Sequence, residues 1–144
     1  MNNVISCFTD GSNLLDQLSS WAFIAVQNDK IIHQDSGVLT GEICSIRNIG
    51  GEIFAVVSSI KWAKNNNTSV DIYYDYTGLK MWINDLFGES PWKCNNKWSI
   101  KYRDFMFKNK SNINSMIWIK GHSSNKWNDY VDKLASDTLK GIRQ

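Results

Sequence analysis

The sequence predicts an α/β protein whose mixed sheet is covered by helices. Apolar, β-prone segments fill the first 40 residues, and after them segments of helical periodicity alternate with short strands. The resulting order, βββ-α-β-α-α-β-α, implies a mixed sheet with helices on its faces. A chain of 144 residues with 42% hydrophobic residues is long enough for one domain with a substantial core.

The first three strands form a predicted antiparallel meander. Val4–Thr9 is apolar and β-prone, and we expect it to end in a turn at Asp10–Ser12. Trp21–Gln27 and Lys30–Leu39 are the next two strand candidates, with Asn28–Asp29 between them as a short hairpin turn.

Changes in the spacing of apolar residues along the chain predict the remaining elements. Apolar residues at helical spacing predict a helix over Gly51–Lys64, and β-branched and aromatic residues predict a strand over Ser69–Asp75. The same reasoning predicts, in chain order, a helix from Thr77 to about Phe87, a helix over Lys97–Lys108, a strand within Asn112–Lys120 and a helix from about Trp127 to Lys140.

Composition and charge exclude several classes of protein. A single proline and nine glycines exclude collagen-like, proline-rich and disordered chains. A net charge of +2 is too weak to indicate a nucleic-acid partner without its distribution along the chain.

The cysteines and the lack of targeting segments favour a cytoplasmic protein. Three widely spaced cysteines without a CxxC pair give no support for a zinc or redox site and fit a reducing compartment. The N-terminus lacks the features of a signal peptide, and no apolar stretch approaches the roughly 18 residues that span a bilayer, so we expect no membrane partner.

Four carboxylates stand at the ends of predicted elements: Asp10, Glu52, Asp75 and Asp132. If the first and fourth strands are neighbours, Asp10 and Asp75 project from adjacent strand ends, where ligand sites form in α/β sheets. Clustered carboxylates repel one another, and a hard divalent cation such as Mg²⁺ relieves that repulsion. Any one of these acids taken alone is explained more simply as a helix cap or a solvated turn. This explanation is weaker for Asp75, which ends a largely apolar strand and is flanked by tyrosines.

The two histidines differ in setting. His33 lies in the middle of a predicted strand and fits a structural role. His122 lies in a polar loop before the last helix and is a candidate proton shuttle.

At these residues the sequence resembles the type 1 ribonuclease H family. Phe8–Ser12 resembles the opening TDGS motif, Gly51–Ala55 the glutamate helix, and Tyr74–Asp75 the position of the third acid, which the family usually follows with Ser. Gly121–His122 and Asn128–Ala135 resemble the closing GH and N-x-x-x-D-x-L-A signature. The resemblance extends from about residue 4 to residue 140.

One subgroup is more similar: the ribonuclease H domains found beside viroplasmin-like modules. The similarity lies in Arg47–Glu52, Ile72–Tyr76 and Gly121–Asp129. We expect residues 1–144 to form a single catalytic domain that binds its substrate without a separate hybrid-binding domain.

The resemblance implies a fold, a reaction and a role for each acid. It implies a five-stranded mixed sheet in the order 3-2-1-4-5 with helices on both faces, and endonucleolytic cleavage of the RNA strand of RNA–DNA hybrids. Two Mg²⁺ ions, with Mn²⁺ possible instead, would be bridged by Asp10. Asp132 would help to hold the ion that activates water, while Glu52 and Asp75 would hold the ion at the leaving 3′ oxygen. The implied products carry 5′-phosphate and 3′-hydroxyl ends, and His122 would assist proton movement or product release.

The resemblance also indicates substrate contacts. Backbone groups of Gly11 and Ser12 and the side chain of Asn48 match family positions that face the RNA strand. A second Asn is common after that position, but Ile49 stands here.

Basic residues concentrate in the second half of the chain. Between Lys93 and Lys110 there are six basic residues and one acid, interleaved with aromatic side chains. We expect this segment to bind the hybrid, with Lys93, Lys97 and Lys101 contacting phosphates and Trp98 stacking on or lining the groove. A solvated helix face with a buried aromatic side is the competing interpretation.

The aromatic residues divide between two predicted settings. Phe8, Trp21, Trp62 and Trp118 fall on predicted core faces. A second group falls beside the basic segment or the catalytic loop and comprises Trp82, Trp92, Trp98 and Trp127.

Two other functions remain open at this point. One is another nuclease on the same fold, of the Holliday-junction or transposase type, and the other is a hybrid-binding module without activity. A Mg²⁺-dependent cleavage assay on RNA–DNA hybrid, double-stranded RNA and double-stranded DNA separates them. Nothing in the sequence demands a dimer, so we expect a monomer.

Overall fold

Five strands form a mixed sheet in the order β3-β2-β1-β4-β5 in the computed structural model, which describes residues 4–14, 18–120 and 125–143. The strands are β1 (Ile5–Leu14), β2 (Leu18–Gln27), β3 (Lys30–Thr40), β4 (Val70–Tyr74) and β5 (Ile113–Trp118). The pairs β1–β2 and β2–β3 are antiparallel, whereas β1–β4 and β4–β5 are parallel. The predicted fold class and strand order are confirmed.

In the part of the chain that the structure describes, four α-helices flank the sheet: α1 (Asn48–Asn65), α2 (Gly78–Met81), α3 (Lys97–Lys108) and α4 (Lys126–Arg143). The same part contains three short 3-10 helices, which cover Glu42–Ile46, Asn84–Phe87 and Lys110–Asn112. No helix within the described ranges is both long enough and apolar enough to cross a membrane.

Alternation along the strands divides the core between the two faces of the sheet. On one face Cys7 and Phe23 join the apolar sides of α1 and α3, where Ile60 and Met106 are fully buried. On the other face Phe8 and its strand neighbours pack against α4. Because successive strand residues point to opposite faces, a single strand supplies both halves of the core.

The meander is confirmed, but the predicted turn at Asp10–Ser12 is wrong. Pairing between β1 and β4 ends at Phe8, whereas pairing between β1 and β2 continues to Leu14. Residues 10–12 therefore leave one neighbour while remaining hydrogen-bonded to the other. Asn28 and Asp29 both have positive φ, 52° and 60°, as a two-residue hairpin turn requires.

The segment after β4 is not the single helix that its sequence predicts. It forms α2 and, after a break, the 3-10 helix Asn84–Phe87. At the break the hydroxyl of Tyr102 donates to the carbonyl of Leu79 at 2.7 Å, and Ile83 is fully buried. The hydrogen bond from α3 thus occupies a carbonyl that would accept a backbone N–H if the helix continued.

One tryptophan also differs from expectation, since Trp118 is 51% exposed rather than part of the core. Trp82 lies beside the basic segment as predicted: its carbonyl accepts a hydrogen bond from Arg103, and its ring packs into the core against Tyr102. Other boundaries move by a few residues, since α1 begins at Asn48 rather than Gly51 and β2 begins at Leu18 rather than Trp21.

Candidate active site

Two of the predicted acids meet at the edge of the sheet where the parallel strands β1 and β4 end. Asp10 lies two residues beyond Phe8, the last residue that pairs with β4. Asp75 directly follows Tyr74, where β4 ends. Because parallel strands end at the same edge of a sheet, both carboxylates project from that edge.

Glu52 reaches this edge because two glycines let α1 contact the sheet backbone. A Cβ atom added at Gly51 would lie 2.1 Å from the carbonyl oxygen of Ser20, and one at Gly11 would lie 2.5 Å from the nitrogen of Glu52. No residue other than glycine fits such approaches without movement of the backbone. The contact leaves the side chain of Glu52 only 2% exposed, beside Asp10.

Asp132 comes from α4 on the opposite face of the sheet. Val131 and Ala135 anchor this part of the helix in the core, and the hydroxyl of Ser20 donates to the carbonyl of Ala135 at 2.6 Å. At the start of α4 the side chain of Asn125 accepts hydrogen bonds from the first turn. Asp132 is exposed at the rim of the site, within hydrogen-bonding reach of Asp10.

Three of the four acids, Asp10, Asp75 and Asp132, border a cleft of about 170 Å³. Its lining comprises Asp10, Gly11, Asn48, Asp75, Asn128, Asp129 and Asp132. The side chains in this lining that could bind a cation are all carboxylates or amides. Mg²⁺ and Mn²⁺ prefer the oxygen ligands that these groups provide.

The electrostatics of the site favour the neutral form of its central acids. Burial, and then the charge of Glu52, raises the pKa of Asp10, and contacts with Asp132 add to this rise. Burial also raises the pKa of Glu52, opposed by the hydrogen bond from Asp10 and reinforced by the charge of Asp75. A carboxyl group that resists ionisation in an acidic cluster is a group that a cation would stabilise.

The residues therefore fit a divalent cation in their chemistry. Glu52 and Asp132 each contact Asp10, so the acids meet in pairs. Within the described ranges, however, no group of three or more His, Cys, Asp or Glu side chains is arranged so that it could hold a metal ion.

A comparison with known protein families identifies the family to which the chain belongs. The model of the family described as RNase H matches residues 2–140. The chain belongs to the RNase H family. The predicted resemblance is thereby confirmed at the level of the RNase H family.

Curated relatives of this RNase H family member are similar over part of their length. The ribonuclease H of Ruthia magnifica subsp. Calyptogena magnifica is 31% identical over 94 residues, which cover 59% of this chain and 63% of that protein. The ribonuclease H of Acetivibrio thermocellus is 33% identical over 98 residues, covering 62% and 65%. The matched part spans just under two thirds of these relatives.

Solved structures share the fold over nearly the whole chain. RNase H1 from the halophilic archaeon Halobacterium salinarum NRC-1 has a TM-score of 0.74 at 13% identity, covering 96% of this chain and 99% of that one. LC11-RNase H1, solved in complex with an RNA/DNA hybrid, has a TM-score of 0.73 at 12% identity, covering 97% and 99%.

The predicted substrate residues of this RNase H fold separate into three places. Gly11 and Asn48 line the acidic cleft, and Ser12 follows along β1, paired with Ser20. Lys93 borders a neighbouring concavity of about 420 Å³, which we call the aromatic groove. Its lining comprises Ile46, Ile49, Tyr76, Trp82, Trp92, Lys93, Asn95 and Asn96.

The other basic-segment residues lie elsewhere. Trp98 and Lys101 line an apolar groove of about 210 Å³ between α1 and α3. Lys97 forms an ion pair with Glu42, and the ammonium groups of Lys97 and Lys101 lie 4.9 and 5.4 Å from the ring centre of Trp98. His122 falls outside the described residues.

Sequence reasoning missed several residues of the site. Asn128 and Asp129 line the cleft, and Asn128 lies one helical turn before Asp132, a spacing that could have suggested its place. Trp118 was also missed: its indole N–H donates to the carbonyl of Asp75 at 2.8 Å. No sequence signal marks that contact.

Proposed function

We propose that this chain is an endoribonuclease that hydrolyses the RNA strand of RNA–DNA hybrids by a two-metal-ion mechanism and leaves 5′-phosphate and 3′-hydroxyl ends. The observation that carries the proposal is the convergence of four acids at one edge of the sheet: they come from β1, from α1, from the residue after β4 and from α4. Membership of the RNase H family supports the reaction class.

Asp10, Glu52, Asp75 and Asp132 would hold the metal, for which we propose Mg²⁺ with Mn²⁺ as a substitute. When bound, the metal supplies positive charge that activates water and stabilises the leaving oxygen. The chain keeps these carboxyl oxygens close together, and it buries Glu52 so that water competes little for its charge.

The hybrid would lie across the acidic cleft and the aromatic groove. Tyr76 lines the aromatic groove and directly follows Asp75, so the groove begins where the proposed catalytic centre ends. Trp92 is 45% exposed there and offers a ring face, and Lys93 offers a positive charge for phosphate. The hybrid-bound structure of LC11-RNase H1, which has the same fold, agrees with this choice of substrate.

Contacts with the RNA strand would come from the other side of the acidic cleft. We propose that Gly11, Ser12 and Asn48 face this strand, since Gly11 and Asn48 line the cleft. Recognition of the 2′-hydroxyl would then distinguish RNA from DNA.

Several finer assignments form part of the same proposal. His122 would assist proton movement or product release. We propose that residues 1–144 form a monomeric, cytoplasmic catalytic domain that resembles the domains found beside viroplasmin-like modules. The free thiols of Cys7, Cys44 and Cys94 fit a reducing compartment.

Replacing Asp10 by asparagine tests the catalytic assignment. The variant keeps the shape of the side chain but removes a charge that the metal requires, so we expect cleavage to be lost while hybrid binding remains. Asp35→Asn, at an exposed position on β3, is the matched control. Cleavage by Asp10→Asn at the wild-type rate would refute the assignment.

Charge reversal tests the substrate contacts. We propose that Lys93, Lys97, Trp98 and Lys101 contribute to hybrid binding, and the triple change of the three lysines to glutamate should weaken affinity and flatten its dependence on salt. Lys93→Glu alone separates the aromatic groove from the α1–α3 groove. Unchanged affinity and salt slope in the triple variant would exclude this segment as a contact.

A further inference from the structure

One peptide group connects two of the proposed metal-binding acids. It joins Asp75 to Tyr76 and is hydrogen-bonded at both ends. Its carbonyl accepts from the indole N–H of Trp118 at 2.8 Å, and its N–H donates to the carboxylate of Glu52 at 3.4 Å. Trp118, the peptide and Glu52 therefore form one hydrogen-bonded chain.

This peptide lies just beyond the sheet. The register of β4 with β5 ends at the pair Tyr74–Trp118, and the N–H of Ile119 donates to the carbonyl of Tyr74 at 2.8 Å. Asp75 is the next residue and belongs to no strand. The indole of Trp118 thus extends the hydrogen bonding between these strands by one residue, using a side chain in place of a backbone donor.

Trp118 is poorly placed to contribute by burial. It is 51% exposed, and it ends β5, the last strand of the sheet. A tryptophan in the core stabilises a fold mainly through the apolar area that it buries. At this position the specific contribution is the hydrogen bond from its nitrogen.

The two hydrogen bonds reinforce each other. The C=O and N–H of a trans peptide point in opposite directions within one plane, so fixing one end orients the other. Hydrogen bonding to the carbonyl also polarises the group and strengthens its N–H as a donor. The orientation of the Glu52 carboxylate and the backbone position of Asp75 therefore depend on the same contact.

We infer that Trp118 is a positioning residue: by clamping the Asp75–Tyr76 peptide, it orients the carboxylates of Glu52 and Asp75 for divalent-cation binding. The inference rests on the proposed function for the identity of the cation, but protein atoms alone form the clamp. Partners that orient metal ligands typically change metal affinity by 10- to 100-fold when they are removed.

Trp118→Phe tests the clamp, because phenylalanine keeps an aromatic ring and removes the donor. In metal-free protein we expect the amide proton of Tyr76 to exchange about tenfold faster, measured by NMR. Calorimetric titration with Mn²⁺ should show a dissociation constant about tenfold higher. In cleavage assays the metal concentration for half-maximal rate should rise similarly, while KM for hybrid stays unchanged.

Trp62→Phe is the matched control. This half-buried tryptophan lies on α1, stacked on His33 at 5.5 Å, and should alter neither Tyr76 exchange nor metal affinity. Wild-type Tyr76 exchange and Mn²⁺ affinity in Trp118→Phe would overturn the inference, as would a rise in KM without a change in metal affinity.

A shape-preserving variant covers the case in which Trp118→Phe does not fold. Benzothienylalanine at position 118 replaces the indole N–H by sulfur, so it should reproduce both losses in a folded protein. If it retains wild-type Tyr76 exchange, the clamp is refuted. Failure of the proposed function would look different: the wild-type chain would neither bind metal nor cleave hybrid, whereas Tyr76 exchange would still report on the clamp.

Discussion

Replacing Asp10 by asparagine should stabilise the metal-free protein at neutral pH, even though it should abolish activity. Burial and the nearby charge of Glu52 raise the pKa of Asp10 above that of an exposed aspartate. A carboxyl group whose pKa is higher in the folded state than in the unfolded state destabilises the fold at high pH. On folding, the ionised group must then either take up a proton or be buried as a charge. Asparagine removes this cost, and its amide can still donate to Glu52.

The size of the effect follows from the titration. Unfolded aspartate has a pKa of about 3.9, and each pH unit above it costs about 1.4 kcal/mol as long as the folded carboxyl remains protonated. At pH 7 the limit is about 4 kcal/mol. Asp10 shares the site with Glu52, whose pKa is also raised, so we expect a gain of about 2–4 kcal/mol.

Urea denaturation in a chelator, from pH 4 to pH 7.5, measures this gain. The difference in unfolding free energy should be small at pH 4, where aspartate with a pKa of about 3.9 is only about half ionised in the unfolded state, and should widen as the pH rises. Saturating Mg²⁺ should narrow or reverse this difference in unfolding free energy, because Mg²⁺ binding stabilises only the wild type. The stabilisation is about 2.7 kcal/mol at a Mg²⁺ concentration 100 times the dissociation constant. Asp35→Asn should show no such pattern.

An Asp10→Asn protein that is no more stable than the wild type at pH 7 would refute the reasoning. A gain that does not change with pH would refute it as well, since the effect would then come from packing rather than from titration.

Three further predictions concern the supports of the site. Gly51→Ala should destabilise the fold by about 3 kcal/mol in urea denaturation and weaken Mn²⁺ binding, because the added methyl group overlaps the Ser20 carbonyl; an unchanged midpoint would contradict this. Ser20→Ala should cost about 1–2 kcal/mol by removing a buried hydrogen bond to α4, and should lower Mn²⁺ affinity through Asp132; full affinity would show that α4 is held in other ways. Lys97→Met should change unfolding free energy by less than about 0.5 kcal/mol, because its ion pair with Glu42 is exposed; a larger loss would show that the pair contributes to stability.

The sequence predicts the sheet and the acids because both depend on local signals. Strand and helix periods give the order of elements, and the ends of two parallel strands meet at one edge wherever they pair. Asp10 and Asp75 could therefore be placed together without coordinates. The approach of Glu52 was also implicit in Gly51, although the contact with Ser20 that requires this glycine is visible only in three dimensions.

The wrong or missed predictions concern residues whose conformation depends on contacts with elements that are distant in the sequence. Residues 10–12 of β1 leave β4 but stay paired with β2, so a turn-like sequence remains extended. The helix after β4 breaks where Tyr102, distant in sequence, takes the carbonyl of Leu79. The clamp by Trp118 depends on the orientation of one peptide plane. No periodic pattern encodes contacts of these kinds.

The central claim, that the converging acids make this chain a metal-dependent ribonuclease H, is tested most directly by one cleavage experiment. The wild type and Asp10→Asn are incubated with end-labelled RNA–DNA hybrid, double-stranded RNA and double-stranded DNA of one sequence, with and without Mg²⁺. We predict cleavage of the RNA strand of the hybrid alone, by the wild type alone, and only with Mg²⁺. Equal cleavage of the duplex controls, cleavage in chelator, or an inactive wild type that still binds hybrid would contradict the account.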